Sequence, residues 1–302
     1  MFDFIRHRQK FYLLSLILVA GSIIGLIFWG LNWGIDFKGG SSLYFEYEND
    51  VPPIMELRSG LNGLGFDGIE IRTAGEKGVM IQSPSQIDTD AQGKINSFLS
   101  DYGELDEGSY EFETISATIS GELTDKTKQA VLISLLVILL YVSWAFNKIY
   151  RPVPSWQYGL AALIALFFDV LLMLGVFVVL GKFAGAQINI PIVTALLVVF
   201  GYSVNDSVVV FDRIRENLLK GVGRDYAETI NYSLNQSLGR SLKTSFTTIL
   251  VLIFLLFFGG STLYFFALAL IIGIISGTYS SLFIASPLLF DAYRGRTKKS
   301  LN

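Results

Sequence analysis

The 302-residue sequence has no cysteine and one histidine, His7. The first absence excludes a disulfide framework and a thiolate metal site, so any part outside a membrane has to fold on its apolar core alone. A lone histidine leaves neither a His-rich metal cluster nor a Ser/His/Asp arrangement, and the Gly-x-x-x-x-Gly-Lys-Ser/Thr phosphate loop is also missing. Charge is scarce as well: 16% of residues are charged against 52% hydrophobic, with a mean hydropathy of +0.51. That balance argues against intrinsic disorder, a nucleic-acid-binding protein or a cytosolic enzyme. The expectation is a protein with no enzymatic activity and no cofactor.

What is present is a set of long apolar runs. A bilayer-crossing helix takes ~20 such residues, and six runs qualify: 11–33, 129–147, 158–180, 188–211, 240–260 and 263–290. The first follows Arg6, Arg8 and Lys10, yet it is longer than a signal-peptide core and no small-residue cleavage site follows it, so it reads as an uncleaved span. The fold class is therefore a multi-pass α-helical membrane protein.

Charge assigns the sides. Bases are retained in the cytoplasm, and they occupy the N-terminus (1–10), the second-to-third loop (Lys148, Arg151), the fourth-to-fifth loop and its edge (Arg213, Arg215, Lys220, Arg224, Arg240, Lys243) and the tail (291–302; Arg294, Arg296, Lys298, Lys299). The opposite side receives Lys182 and the uncharged Gly259-Gly260-Ser261-Thr262 hairpin. Both termini are thus expected in the cytoplasm. Residues 36–128 carry 18 acids against 7 bases, a balance of −11, and fall outside; the remainder of the chain is +8.

The outer segment, 34–128, alternates strand and helix patterns. Leu43, Phe45 and Tyr47 recur at period two, Ile54, Leu57, Leu61 and Leu64 at helical spacing, and Ile69/Ile71 and Val79/Ile81 mark two strands joined by Gly75-Glu76-Lys77-Gly78. Ile95, Phe98, Leu99 and Tyr102 mark a second helix, and Tyr110, Phe112 and Thr114 a last strand. The order βαββαβ is that of a ferredoxin-like α+β domain. The cytoplasmic stretch 212–239 reads as helical in two pieces around Gly221-Val222-Gly223, an amphipathic segment at the membrane surface with Asp225 and Glu228 spaced as a capping box.

Ionisable residues inside spans are costly, and they tend to face a bundle interior or a wet cavity and to mark function. Three stand out: Asp169, Asp206 and Arg240. In adjacent antiparallel helices Asp206 and Arg240 meet at similar depth, and an aspartate that alternates between paired and unpaired states carries a proton. Asp206 sits in Gly201-Tyr202-Ser203-Val204-Asn205-Asp206-Ser207, with Ser203 one turn earlier on the same face and Asn205 and Ser207 beside it; Ser237, Thr244 and Thr247 share a stripe with Arg240. Asp169 either extends the relay or is a helix contact. Gly21/Gly25 and Gly273/Gly277 have the small-xxx-small spacing of close helix pairs.

These residues resemble the SecF family, the smaller subunits of the SecD–SecF protein-export complex. The resemblance rests on Gly34-Ile35-Asp36-Phe37-Lys38-Gly39-Gly40 after the first span, on Gly201 to Ser207 and its continuation to Glu216, and on Asn235 to Ser241. It implies six spans forming half of a bundle related to the resistance-nodulation-division transporters, located in the cell (inner) membrane. The implied partners are SecD, the SecYEG translocon, an unfolded translocating polypeptide and protons, with no nucleic acid, and Asp206 and Arg240 fall on positions assigned to proton conduction. The family's third-span His-Asp-Val is here Phe168-Asp169-Val170, which removes the histidine and leaves Asp169. The resemblance further implies a SecD-like chain against the fourth-span face that includes Ser203 and Val210. A proton-driven efflux component for small solutes and a non-conducting scaffold are the alternatives.

The distribution of bases predicts that reporter fusions at Gly93 are extracytoplasmic and fusions at Gly221 cytoplasmic; a cytoplasmic signal from Gly93 would contradict the assignment of sides.

Overall fold

The computed structural model describes residues 2–66, 68–74, 77–146 and 153–299. Lys148 and Arg151, and Gly75 and Glu76 of the expected turn, lie outside them. The chain divides into two compact units, one with the bounds Met1–Gly30, Ala130–Val178 and Pro191–Asn302, the other Leu31–Gln129 and Val179–Ile190.

Among the described residues, six helices are long and apolar enough to cross a membrane, and they make up most of the first unit. Helix α1 (Phe4–Phe28) begins seven residues before the first apolar run, because the Asp3 carboxylate accepts from the Arg6 N–H at 3.0 Å and caps it. It ends at Trp29, followed by Gly30 at φ +69°. A four-residue turn of helix, α2 (Ile35–Lys38), α3 (Ile54–Gly63) and α4 (Thr89–Ser100) belong to the second unit. The remaining long helices are α5 (Ala117–Ala145), α6 (Ser155–Phe183), α7 (Ile190–Leu219), α8 (Tyr226–Phe258) and α9 (Gly260–Ser280), which continues through a π-helical turn, Ser281–Ala285, into α10 (Ser286–Lys299). Half of α7's most apolar stretch and two-thirds of that of the last span are buried within the chain, against about a tenth of α1's. The inner helices, not the peripheral ones, can therefore hold polar groups away from lipid.

The stretch 212–239 is helical on either side of Gly221-Val222-Gly223 as expected, but neither piece is a separate surface element. Residues up to Leu219 finish α7, and α8 runs unbroken from Tyr226 into the membrane span. Hydrogen bonding along a helix does not stop where apolar residues do, and 33 residues at ~1.5 Å each exceed the ~30 Å of a bilayer core. Asp225 caps α8 by accepting from the Glu228 N–H at 2.8 Å, while Glu228 accepts from the Arg224 N–H at 2.7 Å. The projecting ends of α7 and α8 are joined by buried Asn217, whose amide donates to Ser233 Oγ at 2.9 Å and Gln236 Oε1 at 3.0 Å. The N-terminus docks on the same stretch of α8, with Asn235 bonded to both the N–H and the C=O of Phe2 and Asn231 to the Ile5 N–H. The segment expected over 34–128 falls within the unit bounded by Leu31–Gln129, and its last residues, from Ala117, already belong to α5.

The second unit is a four-stranded antiparallel sheet of β1 (Gly40–Tyr47), β2 (Glu70–Ala74), β3 (Gly78–Ser83) and β4 (Leu105–Ile115), in the order β2-β3-β1-β4. With α3 and α4 this is the ferredoxin-like βαββαβ unit. Its core joins Leu43, Phe45, Tyr47, Val79 and Ile81 of the sheet to Leu57, Leu61, Ile95 and Leu99 of the helices, the period-two and helical sets read from the sequence. Gly40 opens β1 at φ +115°, and a Cβ there would lie 2.2 Å from the Ser83 carbonyl oxygen.

Gly40→Ala should therefore destabilise the sheet unit by more than the ~1–3 kcal/mol of a strained backbone alone. Gly39→Ala, at φ +75° with no atom closer than 3.4 Å, should cost less. The ranking is checked by rates of limited proteolysis in the full chain.

Candidate functional site

The Gly-Gly segment has a structural role in the second unit. Trp33 forms a parallel bridge with Ile188, the Gly34 N–H donates to the Ile188 carbonyl at 2.8 Å, and the Ile188 N–H donates to the Asn32 carbonyl at 2.7 Å. A Cβ on Gly34 would come within 3.2 Å of that same carbonyl. The Asp36 carboxylate accepts from the Ile190 N–H at 2.6 Å, satisfying an orphan donor at the start of α7. Phe37 packs edge-on against Trp33, and Gly39 and Gly40 supply the positive φ that turns the chain into β1. The motif thus fastens residues 186–190 beside the sheet.

The chemistry lies in the helical unit, where α6, α7, α8 and α9 converge. Asp169 is fully buried and accepts from three hydroxyls: Ser203 at 2.5 Å, Ser280 at 2.9 Å and Ser276. Asp206, 7% exposed, accepts from Ser241 at 2.7 Å and Ser281 at 2.5 Å. Consecutive serines therefore serve different carboxylates. Ser281 opens the π-helical turn, and the Ser286 hydroxyl donates back to its carbonyl, five residues away, at 3.0 Å; such turns recur at functional sites. Behind this layer Ser245 bonds Thr278 and, at 3.1 Å, Tyr202.

Glycine sets how near α9 can come. A Cβ on Gly277 would sit 3.0 Å from Ser203, and one on Gly273 would sit 2.1 Å from Val199. This pair is a close helix contact; Gly21, with nothing within 4 Å of a Cβ, is not.

Among the described residues no ion pair joins Arg240 to Asp206. The inward stripe of α8 is Ser237, Ser241 and Ser245 at intervals of four, and Arg240, one residue round from Ser241 by about 100°, is exposed. Thr244 and Thr247 are also exposed, their hydroxyls returned to carbonyls of their own helix. Ser203 reaches Asp169 rather than Asp206, Ser207 is buried, and Asn205 faces outward. Val210 and Ser203 are buried within the chain, so the face expected to meet a partner is closed; the open stripe on α7 is Val198, Gly201 and Asn205. Ser241 ends the Asn235 to Ser241 motif but carried no role in the sequence reading, and Ser276, Ser280 and Ser281 were given none either, although Ser276-Gly-Thr-Tyr-Ser-Ser281 is a polar interruption of the sixth apolar run.

A serine hydroxyl donates to a carboxylate and accepts from a carboxylic acid. The cage therefore accommodates both forms of each aspartate, which a fixed guanidinium would not.

The model for the protein export membrane protein SecD/SecF C-terminal region matches residues 94–295, and that for the SecD/SecF GG motif matches residues 25–51. Protein translocase subunit SecF of Thermobaculum terrenum is 40% identical over 96% of this chain and 93% of its own length; that of Desulfurispirillum indicum is 38% identical over 95% and 90%. The chain belongs to the SecF family. The crystal structure of SecDF, a translocon-associated membrane protein from Thermus thermophilus, superposes with a TM-score of 0.83 at 34% identity, covering 96% of this chain. The chain spans 38% of the length of that SecDF chain. The SecF matches extend over the cage and the Gly-Gly segment alike.

Ser241→Ala and Ser281→Ala each remove a donor from a buried carboxylate and should destabilise the helical unit by about 1–3 kcal/mol. Thr244→Ala and Thr247→Ala should stay within about 0.5 kcal/mol. Unfolding of the detergent-extracted chain distinguishes the two sets.

Proposed function

We propose that this chain, paired with a SecD subunit, couples proton movement through Asp206 and Asp169 to late steps of protein translocation at the SecYEG channel. The observation that carries the reading is the pair of buried carboxylates which, among the described residues, accept hydrogen bonds from serine hydroxyls. In this reading both termini are cytoplasmic, the sheet unit is outside, the helical unit is one half of a resistance-nodulation-division type bundle, and the chain is not itself an enzyme.

One proton crossing 100 mV supplies ~2.3 kcal/mol, and each unit of pH difference adds ~1.4 kcal/mol. Such amounts bias a domain between two states and suit repeated small steps on an unfolded polypeptide, not the dragging of a folded one. The SecD subunit lies against the open stripes: Val198, Gly201 and Asn205 on α7, and Arg240, Thr244 and Thr247 on α8. A partner helix with polar groups would meet the asparagine, arginine and threonines of these stripes with hydrogen bonds. Because the chain has no native cysteine, single cysteines at Gly201 and Asn205 should crosslink to SecD while one at Val210 does not.

Asp206→Asn preserves size and much of the hydrogen bonding but cannot exchange a proton. In vesicles holding the complete complex, it should reduce proton flux and gradient-dependent export at least about tenfold, a barrier change of ~1.4 kcal/mol, with insertion and SecD binding intact. Normal flux and export in this variant would overturn the proposal and favour the non-conducting scaffold.

A further inference from the structure

A groove of about 690 Å³ runs between α8 and the α9/π-turn segment, on the side of α8 away from Arg240, Thr244 and Thr247. Leu238, Leu242, Phe246 and Ile249 form one wall and Ile275 and Phe283 part of the other. Its volume lies in the range of small-molecule sites, and its surface is almost wholly apolar. Ser245, Thr278 and Tyr279 also line it, and Lys243, the one charged residue among those lining it, stands at its edge between Phe246 and the polar stripe, exposed and, among the described residues, with no ion-pair partner.

Lys243 is also the last charged residue before an uncharged stretch that reaches to Phe290. It therefore marks the level at which α8 leaves the headgroup region, and its side chain, directed toward the helix N-terminus, extends toward that region. An unpaired ammonium at headgroup level above an apolar trench is complementary to one ligand class: an acyl chain carrying an anionic headgroup. Basic sites between membrane helices recognise anionic lipids by this means. A protein partner is the poorer fit, because by 100° per residue the polar stripe of α8 stands roughly opposite Leu238, Leu242, Ser245 and Ile249.

We propose that this groove is a binding site for one anionic phospholipid, with an acyl chain between α8 and α9 and the phosphate on Lys243. The chain would rest on Ser245 and Thr278, which bond one another at the groove. Ser245 is in turn bonded to Tyr202 and donates at 2.9 Å to the carbonyl of Ser241, the residue that holds Asp206. Bound lipid thus closes the back of the carboxylate cage to water and fixes the spacing of α8 and α9. This goes beyond the proton-coupling reading and does not depend on it.

The test is native mass spectrometry of the membrane-extracted complex after exchange into detergent with phosphatidylglycerol or phosphatidylcholine of identical chains. Wild type should retain one phosphatidylglycerol at this site with roughly fivefold preference, the effect of one lysine near a headgroup. Lys243→Met, which keeps the stem, should abolish the preference but not chain retention. Ile275→Trp should eliminate retention by filling the groove, and Leu242→Phe serves in its place if the larger side chain prevents folding. Equal retention of the two lipids by wild type, or an unchanged preference in Lys243→Met, overturns the proposal. So does a crosslink from a cysteine at Leu242 to SecD or to a second copy of the chain.

Discussion

A carboxylate taken out of water must find other groups to bond, and in the helical unit this requirement governs the arrangement of four helices. Asp169 and Asp206 are met by hydroxyls contributed by α7, α8, α9 and the π-helical turn. No single helix could supply them, because consecutive residues on an α-helix diverge by about 100°. The cage exists only when the helices are packed.

Packing at that closeness has its own condition. Serine hydroxyls are short, and they reach a carboxylate only when backbones approach nearly as far as contact allows. Gly273 and Gly277 meet this condition by presenting no side chain to Val199 and Ser203. In a bilayer, where apolar burial does not by itself bring helices together, such glycine contacts and interhelical hydrogen bonds are the available attractions. The π-helical turn adds an extra residue at the point where Ser280 and Ser281 part toward Asp169 and Asp206.

The sheet unit is held by other means. Its core is made of alternating strand residues against the apolar faces of α3 and α4, driven by removal of apolar surface from water. The Gly-Gly segment beside it is a set of backbone solutions: a parallel bridge, a carboxylate on an orphan helix donor, and two positive-φ glycines. Hydrophobic burial tolerates many arrangements of similar volume, whereas these backbone contacts fix one register.

Much of this was legible in the sequence. Six spans followed from the lengths of the apolar runs, and βαββαβ from the periods of Leu43, Phe45 and Tyr47 and of Ile54, Leu57 and Leu61, because those patterns are local. The rarity of charge in lipid singled out Asp169 and Asp206 before any helix was placed. The sequence could not assign partners to these aspartates. Arg240 was the expected one, but α8 is rotated so that Ser241 points inward and Arg240 outward. Apolar composition did not mark where α8 begins, since its first turns are polar and are held by Asn217, Ser233 and the N-terminus; the local spacing of Asp225 and Glu228 did. Period and hydropathy are properties of one segment; rotation about a helix axis and approach of two helices are fixed by the side chains of neighbours far away in the chain, and only the tertiary structure decides them.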